Sequence, residues 1–158
     1  MLNASEGDFI WVSYGHNMTE EHHILIDGGV RDCGSKYAQI IESISEKNQT
    51  IDALILTHID YDHIAGACDG IARVAPAILQ KVIKKIIFNV SDRHQKEILT
   101  EMISEGYGVK DGIEFYSLLE QKGIRNKLKN ETVAGEKIEL AGGAVLNDEG
   151  RLCIITFH

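Results

Sequence analysis

Within seven consecutive residues, Thr57-His58-Ile59-Asp60-Tyr61-Asp62-His63, stand two histidines and two aspartates. Imidazole and carboxylate both ligate divalent metals, and ordinary capping or surface solvation does not call for four such groups so close together. In an extended chain, side chains two residues apart share a face. His58, Asp60 and Asp62 are therefore expected to converge, with His63 pointing elsewhere. One cation is expected between His58 and Asp60, and a second between Asp62 and His63. Two cations sharing a water would supply a nucleophile at neutral pH and a clamp for the oxygens of a phosphoryl or acyl group, with Asp62 placed to orient that water or take its proton.

The surrounding segments must hold these residues in place. The apolar run 51–56 reads as a buried strand, and 66–72 as the start of a helix, so the ligands lie where a strand ends and a helix begins. Residues 7–15 and 23–27, rich in branched and aromatic side chains, read as a β-hairpin with a polar loop over 15–21. His16, His22 and His23 are expected to be solvated there. A helix is expected over 35–47, capped by Ser35, with Tyr37, Ile40, Ile41 and Ile44 on one face.

Downstream, Pro76 must interrupt the helix. A strand is expected over 84–90, then a helix from Ser91 to residue 105 with His94 on its surface. Glycines at 106 and 108 read as a break, followed by a helical stretch over 113–128 bent at Gly123. Lys122, Arg125, Lys127 and Lys129 read as a solvated helix face, with contact to substrate phosphates as the alternative. Strands are expected over 137–140 and 151–157. Alternating strands and helices indicate a layered α/β domain.

At 158 residues, 44% of them apolar, the chain is sized for one domain, 1–158. A net charge of -8 excludes a surface that coats nucleic acid, although cations in an acidic site can still meet phosphate. Cys33, Cys68 and Cys153 form no paired-spacing motif and read as small core or turn residues, consistent with a reducing cytoplasmic compartment. No signal peptide or membrane span is legible.

The pattern Thr-His-x-Asp-x-Asp-His-x-x-Gly, here Thr57 to Gly66, resembles the signature of the metallo-β-lactamase fold hydrolases. Their common form carries a second histidine where this chain has Asp60. That variant resembles the hydrolase domain of bacterial competence (DNA-uptake) channel proteins and its soluble relatives. Ile24-Leu25-Ile26-Asp27-Gly28-Gly29 resembles the strand and Asp-Gly-Gly turn of the same family.

The resemblance implies an αββα layered sandwich with His58, Asp60, Asp62 and His63 as metal ligands. It places Asp27 and Thr57 behind them as supports. It also implies a divalent cofactor, zinc or manganese with iron as a further candidate, and up to two ions in a complete domain. A carboxylate at position 60 shifts preference toward harder ions.

The family's later ligands have no match. No Gly-Asp follows residue 8, and only His94 and His158 lie beyond His63. The chain is therefore expected to be the N-terminal part of a longer hydrolase, with an open C-terminal strand edge that could self-associate. The expected activity is metal-dependent hydrolysis of a small-molecule, nucleotide or nucleic-acid phosphoester. The alternative is a truncated, non-catalytic metal-binding or interaction module.

Overall fold

A computed structural model describes residues 7–15, 21–88, 107–129, 138–140, 145–146 and 152–153. Its main sheet has five strands in the order β1 (Ile10–Tyr14), β2 (His22–Ile26), β3 (Thr50–Leu56), β4 (Ile86–Phe88) and β5 (Leu128–Lys129). The hairpin pair β1–β2 is antiparallel, and every later pairing in this sheet is parallel. Parallel neighbours require crossovers, and helices supply them. These are α1 (Gly34–Glu46), α2 (Tyr61–Arg73), α3 (Pro76–Val82) and α4 (Tyr107–Gln121).

Alternation along the strands separates two apolar layers. Leu25, Leu54, Leu56, Ile86 and Phe88 pack with Tyr37, Ile41, Ile64, Ile71 and Phe115 of the helices. Ile24, Ala53 and Ile87 face the other way, onto Leu140 and Ile138. Leu140 directly follows β6 (Ile138–Glu139), which with β7 (Val145–Leu146) and β8 (Leu152–Cys153) forms a three-stranded antiparallel sheet. The described residues thus carry a helix layer, a sheet and a second sheet, a mixed α/β arrangement that is metallo-β-lactamase-like. Among them no helix is long and apolar enough to cross a membrane.

Several sequence expectations change in detail. Ser35 does not cap α1: a 3-10 turn, Arg31–Cys33, leads into the helix, and Ser35 is already its second residue. Residues 107–112 are helical despite their glycines, because α4 is held against α2 by buried side chains such as Phe115 and Leu119. Gly123, at φ +67, ends that helix in the left-handed conformation that L side chains rarely adopt. Pro76 opens α3, where its missing N–H costs nothing. His16, Ser91 and His94 lie outside the described residues, as does most of 151–157.

The expectation of solvated histidines fails for His23, which is 1% exposed. Its Nδ1 accepts from Trp11 Nε1 at 3.2 Å and Ser13 Oγ at 2.9 Å, and its Nε2 donates to Gln49 Oε1 at 3.0 Å. Beside it, buried Asp52 accepts from Tyr14 Oη at 2.6 Å and Thr50 Oγ1 at 2.9 Å, with His22 Nδ1 3.1 Å away. Asp52 is also the residue skipped in the β2–β3 register, since His23 pairs with Ile51 and Ile24 with Ala53. A bulge here turns an acidic side chain inward to fix the hairpin on β3. This polar cluster sits at the start of β3, and the ligand loop leaves from its end.

The basic run has internal partners rather than solvent. Lys122 Nζ donates to Ala72 O at 2.7 Å and Val74 O at 2.8 Å, satisfying carbonyls at the end of α2. Lys127 Nζ does the same for Gln80 O and Ile83 O at the end of α3. Arg125 lies 4.7 Å from the Tyr116 ring centroid and 3.4 Å from Glu120. Lys122→Met should therefore lower stability by about 1–2 kcal/mol in urea unfolding while leaving metal affinity unchanged. A stability equal to that of the unsubstituted chain would show the cap to be idle.

Candidate metal centre

The ligand loop begins where β3 ends. Thr57 N donates to Asp27 Oδ1 at 2.8 Å, and Thr57 Oγ1 to Asp27 Oδ2 at 2.7 Å. Asp27 ends β2 with φ +54, a left-handed conformation that aspartate tolerates better than most residues. Its N–H donates to Ile55 O at 2.8 Å, so the turn is tied to β3 through backbone and carboxylate alike.

Extended backbone persists only through Asp60, at φ -67 and ψ 142, and α2 starts at Tyr61. The backbone carbonyl of Asp60 accepts from His63 N at 2.9 Å and Ile64 N at 3.1 Å, while its carboxylate does not cap the helix. This helix start corrects two expectations. Asp62 and His63 ride on the first helical turn, not on a loop, and α2 begins five residues before Gly66. His63, expected to point away, instead turns toward His58, their ring centroids 3.7 Å apart. An extended-chain rule fails at a helix start because each residue there rotates by about 100°.

The hydrogen bonds on the far sides of the two rings settle which nitrogens face the centre. Thr57 gives its hydroxyl proton to Asp27, so it accepts from His58 Nδ1, 2.7 Å away. His63 Nδ1 donates to Asp27 Oδ2 at 3.0 Å. Both imidazoles therefore present an Nε2 lone pair, the state that metal coordination requires. His58 Nε2 lies 3.6 Å from Asp60 Oδ2, and His63 Nε2 lies 3.5 Å from Asp62 Oδ2. These gaps are long for hydrogen bonds. Two donors about 2.1 Å from one tetrahedral ion stand about 3.4 Å apart, so each gap suits an ion between its members.

Asp27, His58 and His63 also offer donor atoms that all lie within 4.8 Å of one another. Asp27 is 2% exposed and already accepts three hydrogen bonds through its carboxylate, so it is better suited to hold the histidines than to ligate. The more exposed Asp60 and Asp62 carboxylates, 69% and 44%, stand on the open side of the rings.

The two sequence motifs touch back to back. Gly28 N donates to His63 O at 2.6 Å, and Gly66 N to Gly29 O at 2.9 Å. A Cβ on Gly66 would fall 2.0 Å from Gly28 O, and one on Gly28 would fall 2.2 Å from Ala67 N. The closing glycine of the ligand motif and the glycines of the Asp-Gly-Gly turn are thus two halves of one backbone contact.

Nearby, Cys68 is buried in α2, and burial pushes its thiol up to about 12, which keeps it protonated and unreactive at neutral pH. Arg31, just past the turn, forms two hydrogen bonds to Glu114 of α4 at 3.0 and 3.3 Å, and this raises its guanidinium further.

Residues 11–73 match the family model of the metallo-beta-lactamase superfamily. The matched stretch runs from β1 through α2 and contains both the Asp27–Gly29 turn and the ligand loop. No curated protein matches the chain significantly. The fold and the histidine-carboxylate cluster together define a metallo-β-lactamase-like α/β domain with a candidate metal site. The helix-borne His63 carries the geometry that the extended-chain reading did not foresee.

Proposed function

We propose that the chain is a metal-dependent hydrolase centre in which His58 and Asp60 hold one divalent cation and Asp62 and His63 the other. The observation that carries this reading is the pair of imidazole Nε2 atoms, each 3.5–3.6 Å from its own carboxylate oxygen with both Nδ1 atoms engaged behind. A bound divalent cation supplies a Lewis acid that makes water nucleophilic near neutral pH. Asp62, half-exposed at the mouth, orients the attacking water or accepts its proton. Thr57 and Asp27 hold the two rings in their ligating tautomers. Hard oxygen donors at 60 and 62 favour manganese or iron alongside zinc.

Phosphodiesters or related esters rank first as substrates, supported by the Asp60 variant's resemblance to the competence-channel hydrolase domain. The test is hydrolysis of bis(p-nitrophenyl) phosphate by the chain with zinc or manganese added, and its loss on chelation. Metal binding without any hydrolysis would favour the non-catalytic binding module. A chain that takes up neither ion would remove the metal reading altogether.

A further inference from the structure

Tyr37 of α1 is completely buried, and its hydroxyl has no hydrogen-bond partner among the described residues. Buried hydroxyls in native proteins are nearly always paired, with protein or with ordered water. The contacts of the ring limit where a partner can stand. Its Cβ end lies against Gly70, where an added Cβ would come within 2.7 Å of it. Phe9 stacks on the ring with centroids 5.1 Å apart, and Phe9 follows Asp8, whose carbonyl accepts from Gly29 N at 2.9 Å.

Gly70 is four residues beyond Gly66, the residue that touches Gly28. Four helical residues rise about 6 Å, close to the reach of a tyrosine side chain. A tyrosine side chain can therefore span from Gly70 toward the Asp27–Gly29 turn, to which Phe9, stacked on the ring, is tied through Asp8. Burial, together with the charge of Asp27, holds this phenol far above its ordinary range, so it remains a proton donor.

Asp27 supplies the matching acceptor. A carboxylate oxygen accepts two hydrogen bonds. Oδ2 takes two, from Thr57 Oγ1 and His63 Nδ1, whereas Oδ1 takes one, from Thr57 N. The core thus holds a buried donor without an acceptor and, at the turn, a buried acceptor with one position left.

We propose that Tyr37 is a positioning residue for the metal centre, its hydroxyl completing Asp27 Oδ1 through one buried water and so fixing the carboxylate that holds His63. A water bridging two buried polar groups serves nearly as well as a direct bond. The proposal rests on the reading of His63 as a ligand, and its test includes measurements on the metal-free chain so that the two can fail separately.

Tyr37→Phe, Cys68→Ala and the unsubstituted chain are compared by thermal unfolding without metal, by the NMR signal and exchange rate of the His63 Nδ1 proton, and by zinc titration. In Tyr37→Phe the melting temperature should fall, the His63 proton should exchange faster, and zinc affinity should weaken about tenfold. Cys68→Ala should leave the His63 proton unmoved. The proposal is overturned if Tyr37→Phe leaves that proton and zinc affinity unchanged, whatever the melting temperature does. It is equally overturned if Cys68→Ala reproduces the Tyr37→Phe signature, which would make the thiol the acceptor. Should the unsubstituted chain bind no zinc, the metal reading fails while the His63 proton still decides the role of Tyr37.

Discussion

Asp27→Ala is expected to weaken divalent-metal affinity about 10- to 100-fold and to cost on the order of 3–5 kcal/mol of stability, although Asp27 is not placed to touch the ion. Three donors converge on this one buried carboxylate: Thr57 N, Thr57 Oγ1 and His63 Nδ1. Alanine leaves all three without an acceptor, and it must also adopt φ +54 with no side-chain polar group to compensate. Without Asp27, Thr57 loses its preferred acceptor, and the tautomer of His58 is no longer enforced.

Asp62→Ala supplies the contrast. Its carboxylate is 44% exposed and lies 3.5 Å from His63 Nε2, on the open side of the ring. Its removal should abolish metal-dependent hydrolysis while costing less than about 1 kcal/mol, mostly from the loss of a negative charge in the first turn of α2. Denaturant unfolding and isothermal metal titration of the two variants distinguish the roles. If Asp27→Ala proved as stable as Asp62→Ala, the buried carboxylate would not be the keystone of the loop.

The contrast also marks what the amino-acid order makes legible. The strand over 50–56, the hairpin and the four ligand-type residues are local, because each depends on apolar alternation or on spacing within a few positions. The helix start is not local. Asp60 serves as an N-cap residue without capping through its side chain, and only the packing of Ile64, Ala67 and Cys68 against the sheet and α1 fixes where the turn begins. That start decides that His63 faces His58. His23 illustrates the same limit. Its partners Trp11 and Gln49 are 12 and 26 residues away, and neither spacing signals burial of an imidazole. The basic run misleads for a related reason, since carbonyls left at the ends of α2 and α3 draw the lysines inward only once those helices are assembled.

Gly66→Ala is expected to cost about 3 kcal/mol or more and to lower metal affinity in step, though the substitution adds one methyl group and removes no ligand. That methyl would lie 2.0 Å from Gly28 O and 2.7 Å from Val30 O. Both obstacles are backbone atoms, so no rotamer change can make room, and the turn must move away from α2. Such a movement lengthens Gly28 N to His63 O and Gly66 N to Gly29 O, now 2.6 and 2.9 Å, and with them the 3.0 Å contact between Asp27 and His63. Gly70→Ala is the graded control, because its methyl would meet Tyr37 Cβ, Cδ1 and Cγ at 2.7–2.9 Å rather than a backbone oxygen at 2.0 Å, and it should cost less. The ordering is read from urea midpoints and zinc titrations of both variants. Equal stability for Gly66→Ala and the unsubstituted chain would mean that the two motifs do not bear on each other. The geometry of His63 would then have to come from α2 alone.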